Sequence, residues 1–231
     1  MELLEKYLKQ ININYDSEIL RKFDIYYNLL IEWNEKFNLT NITEKNDVII
    51  KHFADSLYGY PFVKDCKSIV DVGTGAGFPS IPLAIVLPNI NFTLVDSLQK
   101  RITFLNEVIN QLGLTNVIAI HSRAEDFAKD NRHKYDIAVA RAVSSMPTLL
   151  EYLVPLVKVD GKCVCYKSTN IDNELSVCSN AFSKLKCSLL ERVDYNILDT
   201  DYSRSIVTIK VIDKCSLTYP RGKNKPKTNP L

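Results

Sequence analysis

The segment that most constrains this chain is residues 68–80. The run Ser68-Ile69-Val70-Asp71-Val72 leads straight into Gly73-Thr74-Gly75-Ala76-Gly77-Phe78-Pro79-Ser80. Its pattern is a strand, a tight turn and a helix opening at Pro79, because proline is pre-organised for the first helical position. Three alternate glycines let the backbone turn sharply and approach a ligand closely. Two readings stand at this point: a cradle for a nucleotide-like group, or a glycine-rich turn with no ligand. A dinucleotide turn has the spacing Gly-x-Gly-x-x-Gly. Here the spacing is Gly-x-Gly-x-Gly, and Phe78 occupies the third dinucleotide glycine's place. That ring argues against strand and helix packing closely around a pyrophosphate. An acid before the turn, Asp71, is a feature shared with S-adenosylmethionine enzymes.

Downstream, short apolar runs alternate with helical periods. Phe92–Asp96, Val117–His121, Asp136–Ala140 and Lys162–Lys167 read as strands after Ser68–Val72. Helices are expected at about 79–87, from a Ser97 cap to Gly113, near 146–156, and at roughly 171–186. This alternation implies a parallel sheet covered by helices on both faces. The pattern then breaks: Leu189–Leu198 and Arg204–Ile212 are strands joined by Asp199–Ser203, and so short a link forces an antiparallel pair. Five parallel strands closed by a β-hairpin is the layout of a Rossmann-like, class I S-adenosylmethionine-dependent methyltransferase. A dinucleotide dehydrogenase would continue with another parallel unit.

Ahead of the sheet, residues 1–60 read as helices. Ile19, Phe23, Tyr26, Leu30, Trp33 and Phe37 form one apolar stripe, with Asp16 and Ser17 as candidate caps. The stripe fits a buried core face better than a base-stacking platform.

Ligands of such sheets bind beyond the carboxyl ends of the strands. Asp96 ends the second strand, 23 positions after Gly73. It is placed either to accept from ribose hydroxyls or to cap the helix at 97. Arg123-Ala124-Glu125-Asp126 follows the third strand, either as an adenine-edge site or as a capping cluster. Arg141 closes the fourth strand after four apolar residues, where a cation could hold a methionine carboxylate or the incoming substrate. Lys167 closes the fifth and has the same substrate-positioning candidacy. His52, His121 and His133 have no metal-like spacing, and no metal site is expected.

Charge enters through its distribution. The whole chain is only +2, so it is no polycation. Residues 1–60 hold seven Lys/Arg against ten Asp/Glu, whereas 202–231 hold seven Lys/Arg against one acid. Arg221, Lys223, Lys225 and Lys227 therefore make a candidate phosphate-contacting arm, with a solvated tail as the alternative. Lys100, Arg101 and Arg123 are candidates for the same face. The six cysteines show no Cys-x-x-Cys pair and read as buried free thiols of a reducing cytosol. The charged start Met1-Glu2-Leu3-Leu4-Glu5-Lys6 is unlike a secretory leader, and no apolar run suggests a membrane span.

With these pieces assembled, the chain resembles the bacterial small-subunit ribosomal RNA guanine-N7 methyltransferases, the glucose-inhibited division protein B family. The matching stretches are Asn38–Thr40, His52–Leu57, Asp71–Pro82, Val95–Ser97 with Lys100-Arg101, Arg123–Glu125, Ala140–Val143, Tyr219–Arg221 and Asn229–Leu231. They run nearly the length of the chain. The chain departs from the family pattern at Ser80 and Ser168, where glycine is usual. The resemblance implies a cytoplasmic enzyme, expected to be a monomer, that methylates N7 of one guanine in 16S RNA, as naked RNA or in the small ribosomal subunit. It implies S-adenosylmethionine held by Gly73, Gly75, Phe78, Asp96, Ala124, Glu125 and Arg141. The domains expected are an N-terminal helical extension (1–60), a methyltransferase domain (61–213) and a basic tail (214–231). Guanine N7 carries a free lone pair at neutral pH, so no general base is expected. Two other classes fit parts of the pattern: a methyltransferase of another RNA, a protein or a small molecule, and a non-catalytic RNA-binding ribosome assembly factor.

Overall fold

A computed structural model of the chain describes residues 1–168, 171–197 and 200–231. The chain opens with helices α1 (Glu2–Gln10) and α2 (Ser17–Phe37). A broken helical stretch follows: α3 (Lys45–Val48), a π-helical segment (Ile49–Ala54), α4 (Asp55–Leu57) and α5 (Tyr60–Val63). The alternating part is β1 (Ser68–Val72), α6 (Ser80–Val86), β2 (Asn91–Asp96), α7 (Gln99–Leu112), β3 (Val117–His121), α8 (Ala124–Asp130), β4 (Tyr135–Arg141), α9 (Met146–Leu153), a 3-10 turn (Val154–Leu156) and β5 (Val157–Ser168). It is completed by α10 (Ile171–Ser176), α11 (Ser179–Leu185), β6 (Cys187–Asn196), β7 (Ser203–Val211) and α12 (Lys225–Thr228).

The strands form one sheet in the order β3-β2-β1-β4-β5-β7-β6. β1 to β5 are mutually parallel, and β7 inserts antiparallel between β5 and β6. The expected architecture, five parallel strands plus a terminal hairpin, is the one observed. Central β1 shows why the sheet needs cover on both faces. Ile69 belongs to one core and Val70 and Val72 to the other, with all three buried.

The first core is capped by the N-terminal helices. Phe23, Tyr26 and Leu30 of the α2 stripe are fully buried, and they share one cluster with Ile69, Ile81 and Phe104. Asp16 caps α2 by accepting from the Ile19 N–H at 2.8 Å. The second core holds Cys163 and Cys165, which alternate inward from β5 as their spacing suggests. All six thiols are free, and burial pushes that of Cys165 up to about 12.

Several boundaries differ from expectation. Pro79 is the N-cap of α6 rather than its first residue, and Leu98 rather than Ser97 precedes α7. The helix expected at 171–186 is two, interrupted at Val177 and Cys178. β6 begins two residues before Leu189. The expected strand end at Leu198, and Asp199 of the link, lie outside the described residues. Among the described residues, no helix is long and apolar enough to cross a membrane.

Candidate active site

The glycine turn sits at the carboxyl end of β1, and its backbone is fixed from three sides. Gly73 N–H donates to the Val95 carbonyl at 2.8 Å, and Gly75 N–H donates to Asp96 Oδ2 at 3.0 Å. From the N-terminal layer, Tyr26 Oη donates to the Ala76 carbonyl at 2.5 Å. Gly73, Gly75 and Gly77 have φ of +72°, +63° and +99°, the left-handed region. A Cβ at Gly77 would stand 2.6 Å from Ile81 Cγ1, and one at Gly73 2.9 Å from Val143 Cγ2.

Two cavities open along this sheet edge. The first, about 270 Å³, is lined by Val72 and Gly73 at the end of β1, Val95 to Ser97 at the end of β2, and Ser122 to Glu125 after β3. Val143, Ser144 and Tyr152 form its far wall, and Asn224 and Lys227 of the C-terminal segment complete it. Asp96 is only 2% exposed. Its Oδ1 accepts from Leu98 N–H at 2.9 Å and its Oδ2 from Arg101 at 3.0 Å as well as from Gly75. The carboxylate thus ties the glycine turn to the start of α7. Asp71 is fully buried under the turn. Thr74 Oγ1 donates to its Oδ2 at 2.9 Å, whereas Oδ1 has no hydrogen-bond partner. Burial pushes this carboxyl up to about 7.

The second cavity, about 430 Å³, is lined by Lys51, His52, Asp55, Arg141, Lys167 and Arg204, with Ile42, Ala142, Tyr166 and Ser168. Arg141 donates to Asp55 Oδ2 at 2.8 Å, and the pair is nearly buried at 14% and 4% side-chain exposure. Tyr195 Oη donates to the other Asp55 oxygen at 2.9 Å. Arg141 also donates to His52 Nδ1 at 3.2 Å, which leaves the His52 proton on Nε2 to donate to Thr40 Oγ1 at 2.8 Å. Burial, then the Arg141 charge, lowers the His52 pKa to about 3, so this imidazole is neutral at pH 7. Beneath it lies Phe78, stacked at 4.4 Å on His52 with the Arg141 guanidinium 5.0 Å from its ring centre. Lys167 pairs with Glu174 at 2.6 Å and donates to the Ser144 carbonyl at 2.9 Å.

Residues 141–144 run from one cavity to the other. Arg141 and Ala142 line one, Val143 and Ser144 the other. Ala142 holds φ +57°, unusual for a residue with a side chain, at the turn between them.

A model of the family described as rRNA small subunit methyltransferase G matches residues 19–199. The chain belongs to that family. Curated relatives named ribosomal RNA small subunit methyltransferase G are 45% identical over 235 residues in Thermoanaerobacter sp. strain X514, and 44% over 234 in Clostridium botulinum strain Alaska E43. Each alignment covers 100% of this chain and 98% of the relative. Solved structures of similar fold include a SAM-dependent methyltransferase from Aquifex aeolicus, with TM-score 0.56, 16% identity, and coverage of 75% of this chain and 97% of that one. Another is M. jannaschii TYW2 in complex with AdoMet, with TM-score 0.55, 16% identity, and coverage of 73% and 77%.

As a member of the rRNA small subunit methyltransferase G family, the chain is a methyltransferase whose cofactor is S-adenosylmethionine. The first cavity fits that group: it offers apolar walls at Val72, Val95 and Val143, a carboxylate at Asp96, and a backbone at Gly73 that a side chain would obstruct. Of the residues assigned to the cofactor from sequence, Gly73, Asp96, Ala124 and Glu125 line this cavity. Gly75 braces Asp96 through its N–H. Phe78 and Arg141 stand elsewhere: Phe78 is buried between turn and N-terminal helices, and Arg141 belongs to the second cavity beside Lys167.

The RNA candidates scatter. Arg123 and Lys227 reach the first cavity, Arg101 pairs with Asp96, and Lys100 donates to the Phe37 carbonyl that ends α2. Arg221 corrects the picture of a free phosphate arm. It is bound to Glu151, a fully buried carboxylate, at 2.7 Å. Lys223 and Lys225 remain exposed. Lys51, Arg204 and Tyr152 were not singled out from sequence, and Asp55 stood only as part of the matching stretch His52–Leu57, with no role of its own.

Proposed function

We propose that the chain transfers a methyl group from S-adenosylmethionine to N7 of a guanine in small-subunit (16S) ribosomal RNA. In this reading the first cavity holds the cofactor and the second the flipped-out base. The observation that carries it is the adjacency of the two cavities across Arg141–Ser144. Family membership supports the RNA substrate.

The bound cofactor supplies an electrophilic sulfonium methyl. Gly73 and Asp96 would hold its ribose end, and Ala124 and Glu125 its adenine. Guanine N7 needs no proton removed before it attacks, so the second cavity has to orient rather than deprotonate. Its composition suits that work. Arg141 is locked by Asp55 and His52, and Lys167 by Glu174, so their donors are pre-set. Arg204 donates to the Ser203 carbonyl and has no acidic partner among the described residues, which leaves it open to an RNA oxygen. Lys51 pairs with Asp47 at 3.0 Å and lies 4.6 Å over the Tyr202 ring at the same mouth. Correct placement of two reactants is worth on the order of 7–11 kcal/mol.

Nucleoside analysis of RNA methylated by the protein tests the chemistry. The account expects the label in 7-methylguanosine alone. Label in any other nucleoside contradicts the N7 assignment.

A further inference from the structure

The basic C-terminal segment, an arm in the sequence, is built into the protein as a strap. Arg132 fixes its start, donating to the carbonyls of Cys215 at 3.1 Å, Ser216 at 3.2 Å and Tyr219. Arg221 then clamps Glu151 of α9. Its backbone N–H and Nε both donate to Oε1 at 2.8 Å, and its terminal nitrogen donates to Oε2 at 2.7 Å and to the Asn229 carbonyl at 2.8 Å. Thr148 Oγ1 donates to the Pro226 carbonyl at 2.8 Å, and Pro226 is buried. Between these anchors, Lys223 and Asn224 take φ of +57° and +58°, a sharp turn from which α12 starts. The turn brings Asn224 and Lys227 into the lining of the first cavity, which Asp96 and Glu125 also line.

We propose that Asn224 and Lys227 are cofactor-binding residues that close the adenosine site, supplying donors to the acceptor atoms of the adenosine moiety. This rests on the reading of the first cavity as the cofactor site. Glu125, 9% exposed, lines that cavity together with Asn224 and Lys227, and the strap that carries them is anchored at the buried Glu151 and Pro226. Among the described residues, no side chain or backbone group hydrogen-bonds or ion-pairs with the side chain of Asn224 or Lys227. α12 packs on α9, whose Tyr152 also lines the cavity. Lys223, Lys225 and Lys227 are all exposed, and of the three Lys227 alone lines the first cavity.

Calorimetric titration of the full-length protein, without RNA, with S-adenosylmethionine and separately with adenosine tests this. The Asn224→Ala/Lys227→Ala double variant should bind both ligands roughly tenfold more weakly, as for loss of one charged hydrogen bond. Lys227→Ala alone should leave the ligand-free melting temperature unchanged, because that side chain is not an anchor, whereas Asn224→Ala places alanine at φ +58° and should lower it slightly without touching the ligand. Lys184→Ala, on α11, should bind like wild type. Wild-type affinity in the double variant, with a reduced salt dependence of RNA binding as its sole defect, would overturn the proposal and return Lys227 to the RNA. Failure of the wild-type protein itself to bind S-adenosylmethionine would overturn the reading of the cavity instead, so the two failures are distinct.

Discussion

Two titratable side chains, buried Asp71 and half-buried His52, flank the glycine turn, and desolvation pushes their proton equilibria in ways that oppose each other in stability. Asp71 titrates near 7 in the folded protein against an ordinary 3.8, so the stability it favours is full below pH 3.8 and is lost as pH rises towards 7. His52 titrates near 3 against an ordinary 6.5, so its contribution is full above pH 6.5 and is lost as pH falls towards 3. Between pH 4 and 6.5 the two trends cancel, each limited to about 1.4 kcal/mol per pH unit. Urea denaturation across that window should therefore be nearly flat for wild type. Asp71→Asn should leave stability rising with pH, and His52→Gln should leave it falling. Parallel slopes in all three proteins would show that these groups are not the titrating pair.

At the scale of elements, the glycine turn is a joint between the sheet and the N-terminal helices, and its three glycines do unequal work. Gly75→Ala introduces a side chain at φ +63° into open space, a cost of about 1–2 kcal/mol from backbone strain alone. Gly77→Ala adds collisions with Ile81, Leu105 and Tyr26 and should cost about 1–3 kcal/mol more. Urea midpoints check the order, and equal losses would mean the joint relaxes freely. This element was legible in the sequence because strand, glycines and proline are contiguous. So were the parallel strands and the hairpin, each marked by a short apolar run and a local turn signal. The second cavity was legible only at Arg141 and Lys167, which close β4 and β5; Lys51, Asp55 and Arg204 reach it from three other elements. No local period encodes that meeting. The break at Val177 and Cys178 escaped for a related reason: tertiary packing of two short helices overrides a continuous helical pattern.

The whole molecule is tied together by contacts that charge counting cannot see. A run of basic residues suggested a free arm, yet Arg221 finds its partner, Glu151, 70 positions earlier in the chain. Arg221→Ala should cost about 3–5 kcal/mol in denaturation experiments, because it strands a buried carboxylate. Replacing both partners, with Glu151→Leu and Arg221→Met, should recover most of that loss. RNA affinity should depend instead on the second cavity's mouth. Lys51→Ala with Arg204→Ala should reduce the slope of log affinity against log salt by roughly 1–2 units. The measurement that tests the central claim most directly is labelled-methyl transfer from S-adenosylmethionine to three acceptors: naked small-subunit RNA, the assembled small subunit and total cell protein. The account predicts label in small-subunit RNA, free or assembled, and its loss in Asp96→Ala. Label in protein alone, or transfer to no acceptor by a wild-type protein that binds the RNA, would contradict it.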